Sequence, residues 1–329
     1  MPLLLALALV LASASVATAQ LRQPFDAWLS ELMTEARTRG YSDALLDQTL
    51  AGLTPLPRVI ASDRRQAERT QTFEEYVRRR VTPWVVQRGR ELAGEHRELL
   101  ARIREQYGVP PEIAVAIWGI ESGFGQYGGT VPVFQALATL AWDPRRARLF
   151  RAQLYDALRM VERGHIDAPS MRGSWAGAMG QPQFLPSSYL AYAVDFDGDG
   201  RRDIWTSPVD TLASIANYLR GHGWRADAPW GREVVVGTTR MTVNPRRSGC
   251  RAMREMTASL RMAEWRRLGV HALDGAARGG WDAALVRAGK RHFLVHANYD
   301  ALLHYNCAHH YALAVGILAE RISSAESTP

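Results

Sequence analysis

The sequence predicts a mainly helical chain of the α+β class, with its strands confined to a small part near the carboxyl end. Apolar residues recur at helical spacing along most of the chain, whereas β-branched runs begin only after Trp230. The composition, 47% hydrophobic and 22% charged, is that of an ordinary globular protein. A chain of 329 residues can therefore bury a sizeable core in two or three domains.

The amino-terminal segment, residues 1–19, has the pattern of a cleavable secretory signal peptide. The apolar run Leu3–Leu11 is followed by small residues that end at Ala19, a typical cleavage site. The run is too short to span a bilayer comfortably. A lipid anchor would need a cysteine directly after the cleavage site, where the sequence has none. We therefore expect a periplasmic protein without a transmembrane span.

Helical spacing continues through residues 20–108 and breaks briefly near Pro57, which predicts an amino-terminal helical domain. Pro111 has the position of a first helical residue and opens a second domain, residues 109–228. A further helix of this domain is expected over about Arg145–Arg163.

The last helix of this second domain, Thr211–Leu219, is expected to begin after Asp210, which can cap it. Residues 229–295 then predict a small β-containing domain, and residues 296–329 a helix that returns to the core. The strand-like segments are Val234–Val236, Thr238–Thr239, Met241–Val243 and Arg291–Val295, with a short helix near Met262–Arg267.

The net positive charge of the chain favours an anionic binding partner. Lys and Arg total 40 against 33 Asp and Glu, a net charge of +7, and nearly all the cations are arginine. Outside the cytoplasm such a surface suits a wall polymer or a membrane face, although a basic charge can also serve solubility alone. The chain carries no zinc-ligand spacing and no basic recognition helix, so we do not expect nucleic acid as a partner.

Cys250 and Cys307 are the two cysteines. In an oxidising compartment they can pair, and closing such a loop would stabilise the protein by about 2–4 kcal/mol. Two buried free thiols are the alternative, because the sequence does not give the distance between them.

Glu121 is the most informative single residue. It closes an apolar run that begins at Ile113 and precedes the glycine-rich segment Ser122–Gly129. Helical spacing places Ile117 and Trp118 on its face, so its carboxyl would lie in a poorly hydrated place and hold a proton near neutral pH, as a general acid must. A helix-terminal glutamate that is capped or paired with arginine is the alternative.

Four aspartates crowd the segment Asp195–Asp203, in a pattern similar to an EF-hand loop with its turn at Gly200. Thr206 stands where an EF-hand has its closing glutamate, so Asp210 would close a longer loop, residues 195–210. A solvated acidic turn is the alternative to a structural calcium site. The predicted ligands are Asp195, Asp197, Asp199, the backbone carbonyl of Arg201, Asp203 and Asp210.

The segment Gly173–Tyr189 combines small residues with amide, hydroxyl and aromatic side chains. Small residues let a ligand approach the backbone closely, and the other side chains offer the hydrogen bonds and stacking faces that sugars need. Taken alone, the segment could also be a tight loop that covers the core.

Together these segments resemble the membrane-bound lytic transglycosylase B type of lytic murein transglycosylases, in a soluble, non-lipidated form. The resemblance runs from about Phe25 to Tyr311. It implies a lysozyme-like catalytic core with an inserted EF-hand-like loop, flanked by the helical domain and the small β-domain. The blocks that carry it, besides the aspartate loop, are Ile120–Gly125, Ala136–Leu140, Gly173–Gly180, Gln183–Tyr189, Ala216–Leu219 and Gly221–Trp224.

The resemblance also implies the roles of residues. Glu121 would be the catalytic acid, and peptidoglycan glycan strands would be the substrate, with no cofactor for catalysis. We expect a monomer, and cell-wall synthesis complexes are candidate partners. The residues expected to line the glycan groove are Tyr76, Ser174, Gln183, Phe184, Tyr305, Asn306 and Tyr311.

No second acid near the glycine-rich motifs is a candidate comparable with Glu121, whereas ordinary glycosidases use two carboxylates. In this family's reaction one glutamate suffices. It protonates the β-1,4 bond between N-acetylmuramic acid (MurNAc) and N-acetylglucosamine (GlcNAc), then takes the proton of the muramoyl C6 hydroxyl, which leaves a 1,6-anhydromuramoyl end. The alternatives are a hydrolytic muramidase and a non-catalytic peptidoglycan-binding scaffold.

Overall fold

The computed structural model describes residues 23–65, 71–237, 241–273 and 280–324. Within these ranges the chain is mainly helical with small sheets, which confirms the predicted class; the predicted signal peptide lies outside them. The amino-terminal helices are α1 (Phe25–Thr38), α2 (Asp43–Thr49), α3 (Pro57–Arg65), α4 (Phe73–Arg80), α5 (Pro83–Glu95) and α6 (Arg97–Tyr107).

Side chains and a glycine set the ends of several of these helices. At α4, the Thr72 hydroxyl accepts the backbone N–H of Glu75, and the Glu75 carboxylate accepts that of Thr72, a capping box. Thr82 caps α5 just before a proline at its first position. Gly108, at φ 72°, ends α6 in the left-handed conformation that glycine adopts without strain.

Helix α7 (Pro111–Ser122) lies at the centre of the molecule. From Ile113 to Ser122 every residue is buried except Glu121, because α5, α6 and two later helices, α11 (Pro208–Gly221) and α15 (His309–Ser323), all pack around this helix. The other elements of the central region are α8 (Val133–Trp142), α9 (Ala147–Glu162), α10 (Pro186–Tyr192), α11 (Pro208–Gly221) and the two-stranded pair β1 (Val131–Pro132) and β2 (Arg172–Gly173).

The beginning of α11 differs from the prediction. The helix starts at Pro208, and the Ser207 hydroxyl caps it by accepting the N–H of Asp210 at 3.2 Å. Asp210 therefore lies inside the first turn, and its carboxylate accepts hydrogen bonds from the aspartate loop instead. A serine can cap as well as an aspartate, which is why sequence alone did not separate the two.

A four-stranded antiparallel sheet forms the later part of the chain, in the order β4-β3-β6-β5. Val243 makes one isolated bridge to Thr257 and belongs to no strand, and predicted Thr238–Thr239 lies outside the described residues. The elements are β3 (Gly231–Val236), α12 (Arg251–Arg254), α13 (Met262–Arg267), β4 (Val270–Ala272), β5 (Ala284–Ala288) and β6 (Arg291–Val295). One face holds its own apolar cluster of Val234, Trp265, Val270, Ala283, Leu285 and Leu294.

Two final helices, α14 (Ala297–Tyr305) and α15 (His309–Ser323), bring the chain back to the main core, where α15 packs on α7 and α5. A disulfide joins Cys250 to Cys307, with the two Cα atoms 6.1 Å apart, and so ties the start of α12 to the α14–α15 connection. In the described part of the chain no helix is both long and apolar enough to cross a membrane.

Candidate active site

Glu121 is the half-buried residue at the end of the buried helix α7. Gly123, at φ 58°, stops the helix immediately after it, and the chain turns through Phe124, which holds an unusual positive φ of 61°. The Ser122 hydroxyl accepts the Gly125 N–H at 3.0 Å and fixes this turn. The carboxyl is thereby presented at a rigid helix end, with buried Ile117 and Trp118 along the same face.

Half-buried Tyr305 and buried Tyr311 both interact with this carboxyl. Burial, and then the charge of Glu121, raises the pKa of Tyr305 and of Tyr311 well above the ordinary value. The Tyr311 hydroxyl has no partner in strict hydrogen-bond geometry among the described residues, yet it is close enough to Glu121 for a looser side-chain hydrogen bond. Both tyrosines therefore stay neutral, and the Tyr311 hydroxyl can serve the carboxyl as a hydrogen-bond donor, whereas the Tyr305 hydroxyl donates to the Pro182 carbonyl.

Ser174 lies in a tight turn after β2. Its hydroxyl oxygen accepts the N–H groups of Ala176 and Ala178 at 3.3 and 3.2 Å. Gly129 packs directly on this turn, because a Cβ added there would lie 2.1 Å from the carbonyl carbon of Gly173. The turn that follows Glu121 and the turn that carries Ser174 are thus held in direct backbone contact.

Gln183 also adopts a positive φ, 53°, which is uncommon for a residue other than glycine. Its amide nitrogen donates to the Gly180 carbonyl at 2.8 Å and reaches the Gly128 carbonyl at 3.4 Å. The preceding carbonyl, that of Pro182, accepts the Tyr305 hydroxyl at 2.7 Å. These contacts place Gln183 between the Glu121 turn and the α14 end.

The remaining predicted groove residues differ in depth. Asn306 is half-buried and lines a cavity of about 810 Å³ together with Trp175 and the disulfide residue Cys307. Tyr76 is buried, and its ring lies 5.9 Å from the His310 ring, next to Tyr311 in the sequence. Phe184 is only 2% exposed, which places its ring beneath the groove, 5.9 Å from the Tyr305 ring, rather than on the surface.

Two residues of this region were not among the predicted site residues. Tyr218 lies 4.7 Å from the Tyr305 ring, and its pKa is raised by burial, by Tyr192 and by Glu121. Gln181 accepts the Trp118 indole N–H at 2.7 Å. Tyr218 falls within the block Ala216–Leu219 used for the resemblance, but helical spacing makes a buried tyrosine there look like ordinary core.

The aspartate loop brings three of its predicted ligands together. Carboxylate oxygens of Asp195, Asp197 and Asp210 all lie within 4.8 Å of one another, with Asp210 buried. Burial raises the pKa of Asp210, and the charges of Asp197 and Asp195 raise it further, although two backbone N–H groups oppose this. Asp195 and Asp197 are open to solvent, so these three acids form a candidate cation site at the surface.

Two further predicted ligands, Asp199 and Asp203, are not part of this group of three. Asp203 accepts the backbone N–H groups of Trp205 and Thr206, both at 2.9 Å. Burial alone would raise the pKa of Asp203, but the hydrogen bonds from Thr206 and Trp205 lower it below its ordinary value. Asp199 accepts the N–H of Arg201 at 2.8 Å. The loop is therefore an acidic cluster of three residues with hydrogen-bonded turns around it.

Comparison with known proteins gives one consistent result. The family model described as "Transglycosylase SLT domain" matches residues 24–320. Membrane-bound lytic murein transglycosylase B of Escherichia coli (strain K12) is 34% identical over 255 residues, which is 76% of this chain and 67% of that protein.

Solved structures agree. The chain is similar to SltB3 from Pseudomonas aeruginosa in complex with NAG-NAM-pentapeptide, with 38% identity, 92% of this chain and 80% of that chain covered, and a TM-score of 0.82. SltB3 in complex with NAG-anhNAM-pentapeptide gives 37% identity over the same shares and a TM-score of 0.79. The Escherichia coli lytic transglycosylase Slt35 in complex with calcium gives 29% identity, shares of 90% and 92%, and a TM-score of 0.76.

Proposed function

The chain belongs to the transglycosylase SLT family, and from that premise we propose that it is a peptidoglycan lytic transglycosylase with Glu121 as its single acid and base. The observation that carries the assignment is the position of Glu121. It is the one residue from Ile113 to Ser122 that is not buried, and the charge of its carboxylate helps to raise the pKa of Tyr218, Tyr305 and Tyr311.

The proposed reaction begins with a proton on Glu121. Its carboxyl donates this proton to the glycosidic oxygen between MurNAc and GlcNAc, and the GlcNAc hydroxyl leaves as the bond to the muramoyl C1 breaks. The muramoyl C6 oxygen then bonds to C1, and the Glu121 carboxylate accepts the C6 hydroxyl proton. The product is a 1,6-anhydromuramoyl end, no water is consumed, and Glu121 returns to its starting state.

The surroundings of Glu121 suit both halves of this cycle. A poorly hydrated position at the end of the buried helix would keep the proton on Glu121 until the glycosidic oxygen accepts it, and the Tyr311 hydroxyl, within reach of the carboxyl, would stabilise the carboxylate once formed. Ser174, Gln183 and Asn306 would orient the N-acetyl group and stabilise the oxocarbenium-like transition state.

The aspartate loop would hold a structural calcium ion. Asp195, Asp197 and Asp210 offer hard oxygen ligands within 4.8 Å of one another, which fits the ligand type that calcium prefers. When bound, the ion would neutralise these acids and fix the loop that precedes α11; it takes no part in the proton transfers.

The setting of the enzyme is also part of the proposal. Export by a cleaved signal peptide to the periplasm would place a basic protein beside the peptidoglycan strands that it cuts, and it would act there as a monomer. A Cys250–Cys307 disulfide fits an oxidising compartment.

The Glu121→Gln variant tests the assignment. It keeps the shape of the side chain but has no proton to give, so we expect glycan binding to persist and turnover to fall by about 10³-fold or more. Mass spectrometry of digested murein is the measurement, and the parent should release anhydromuropeptides. Reducing muropeptides without the anhydro form would indicate the hydrolytic muramidase, and a Glu121→Gln variant as active as the parent would show that Glu121 is not the acid.

A further inference from the structure

Two exposed aromatic side chains border the turn that follows Glu121. Trp84 is 52% and Tyr127 71% exposed, and they are the aromatic members of the large apolar side chains exposed in the described ranges. A single exposed apolar side chain is ordinary on a protein surface; what distinguishes these two rings is that both border the same turn beside Glu121.

Both rings are held against the same turn. The Tyr127 ring covers Gly123, where an added Cβ would lie 3.0 Å from its Cδ2 and Cε2 atoms. The Tyr127 N–H donates to the Ser122 carbonyl at 2.9 Å. The Trp84 ring lies 6.2 Å from the Phe124 ring, which in turn meets Trp118 edge to face at 5.7 Å.

The scaffold beneath Trp84 is rigid and tied to the catalytic helix. Trp84 stands in the first turn of α5, which Thr82 caps by accepting the Val85 N–H at 3.2 Å. Arg80, just before α5, donates to the Ile120 carbonyl at 3.3 Å, one residue from Glu121. The position of Trp84 relative to Glu121 is therefore fixed by packing rather than by a mobile loop.

We propose that Trp84 and Tyr127 form a sugar-binding surface for parts of the glycan strand beyond the residues held at Glu121. This inference rests on the proposed function, because only a polymeric substrate continues past the bond being cut. The apolar C–H faces of pyranose rings pack well on aromatic rings, and a turn shared with Glu121 makes this surface continuous with the catalytic groove.

Binding measurements in the non-cleaving Glu121→Gln background test it. With long uncrosslinked peptidoglycan strands, Trp84→Ala and Tyr127→Ala should each raise Kd by about threefold to tenfold, the worth of one aromatic contact. With a short MurNAc–GlcNAc tetrasaccharide, Kd should stay unchanged. Trp84→Phe and Tyr127→Phe keep a ring and should retain most of the affinity, and Leu268→Ala, an exposed apolar side chain in the sheet region, is the matched control.

If Trp84→Ala and Tyr127→Ala weaken binding equally for long and short glycans, or weaken it for neither, the proposal is wrong. It is also wrong if Kd is unchanged and the oligomeric state shifts, since the rings would then serve contact between copies. Two results separate this proposal from the proposed function. If only the sugar-binding surface is wrong, the Trp84→Ala and Tyr127→Ala enzymes with Glu121 intact still release anhydromuropeptides. If the proposed function is wrong, the parent releases none.

Discussion

Gln181 connects three parts of the site through one buried side chain. Its amide oxygen accepts the Trp118 indole N–H at 2.7 Å, and its amide nitrogen donates to the Trp205 carbonyl at 3.0 Å. Gly125 packs against the same amide, where an added Cβ would lie 2.6 Å from the oxygen. Helix α7, its terminal turn and the end of the aspartate loop are thus connected by one side chain.

Gln181→Leu should therefore damage catalysis as well as stability. It leaves a buried indole N–H and a buried carbonyl unpaired, so we expect stability to fall by about 2 kcal/mol or more and kcat to fall by about tenfold to hundredfold as Glu121 shifts. Denaturant unfolding and steady-state kinetics on purified glycan strands are the measurements.

Gln153→Leu is the matched control for this prediction. Gln153 is equally buried and exchanges two hydrogen bonds with Ser187, at 2.9 and 3.0 Å, but these bonds join α9 to α10 instead of holding α7. It should lose similar stability and keep its kcat. An equal loss of kcat in both variants would mean that Gln181 acts only through general stability.

Some residues of the candidate site could be predicted from the sequence, and others could not. Glu121 stood out because a carboxyl is unusual at the end of an apolar run, and the structure does place it as the accessible residue of a buried helix. Gln181 and Tyr218 gave no such signal, because a polar or aromatic residue at a buried position is common and its partners are distant in sequence. Spacing also could not show that Phe184 lies beneath the groove.

At the scale of elements, the aspartate loop and α11 behave as one unit. The Asp210 carboxylate in the first turn of α11 accepts the Phe196 and Asp203 N–H groups, both at 2.8 Å, across the loop. A cation at Asp195, Asp197 and Asp210 would therefore stabilise both. Chelation should lower Tm by several degrees, and added calcium should restore it.

Asp195→Asn makes the calcium prediction specific, because it removes one charge from the cluster and should reduce the calcium response. Asp227→Asn, a solvent-exposed aspartate after α11, should not. If Tm moves neither with chelator nor with calcium, the loop is a solvated acidic turn.

The start of α15 contains a histidine that the fold keeps uncharged. His309 Nδ1 lies 2.9 Å from the Tyr299 hydroxyl, and burial lowers the pKa of His309 from 6.5 to about 4. Because the unfolded chain binds this proton more readily, the His309 contribution to stability is complete above about pH 6.5, declines as pH falls, and levels off below about pH 4.

When the pH falls from about 7 to about 5, His309 alone should lower the free energy of unfolding of the parent by about 2 kcal/mol. His309→Gln cannot titrate, so its stability should depend less on pH by that amount, whereas exposed His271→Gln should follow the parent. Urea unfolding at the two pH values is the measurement, and an unchanged pH dependence in His309→Gln would contradict the assignment.

At the scale of the whole molecule, the Cys250–Cys307 disulfide is a long-range covalent link between the sheet region and the α14–α15 connection, across a sequence separation of 57. Replacing both cysteines by alanine should lower stability by about 2–4 kcal/mol. Denaturant unfolding of the variant and of the reduced parent should agree. Full alkylation of both cysteines in the unreduced, denatured protein would refute the link.

The helical architecture was predictable because α7 and α9 carry long, regular apolar patterns, and their observed ranges agree with the expected ones within a few residues. Strands β4 and β5 were not predicted. Val270–Ala272 has three residues, and the burial of Ala284–Ala288 comes from neighbours on β6 and Trp265, which the local sequence does not contain.

The backbone contact between Gly129 and Gly173 has an evolutionary consequence. A methyl group at Gly129 would collide with the Gly173 carbonyl, and one at Gly173 would collide with the Ala178 carbonyl at 2.3 Å, whereas one at neighbouring Gly128 would meet open space. In a library of random variants, Gly128 should therefore accept many side chains, while Gly129 and Gly173 stay fixed as a pair. The close approach of the turn after Glu121 to the turn that carries Ser174 thus depends on two positions that must lack a side chain.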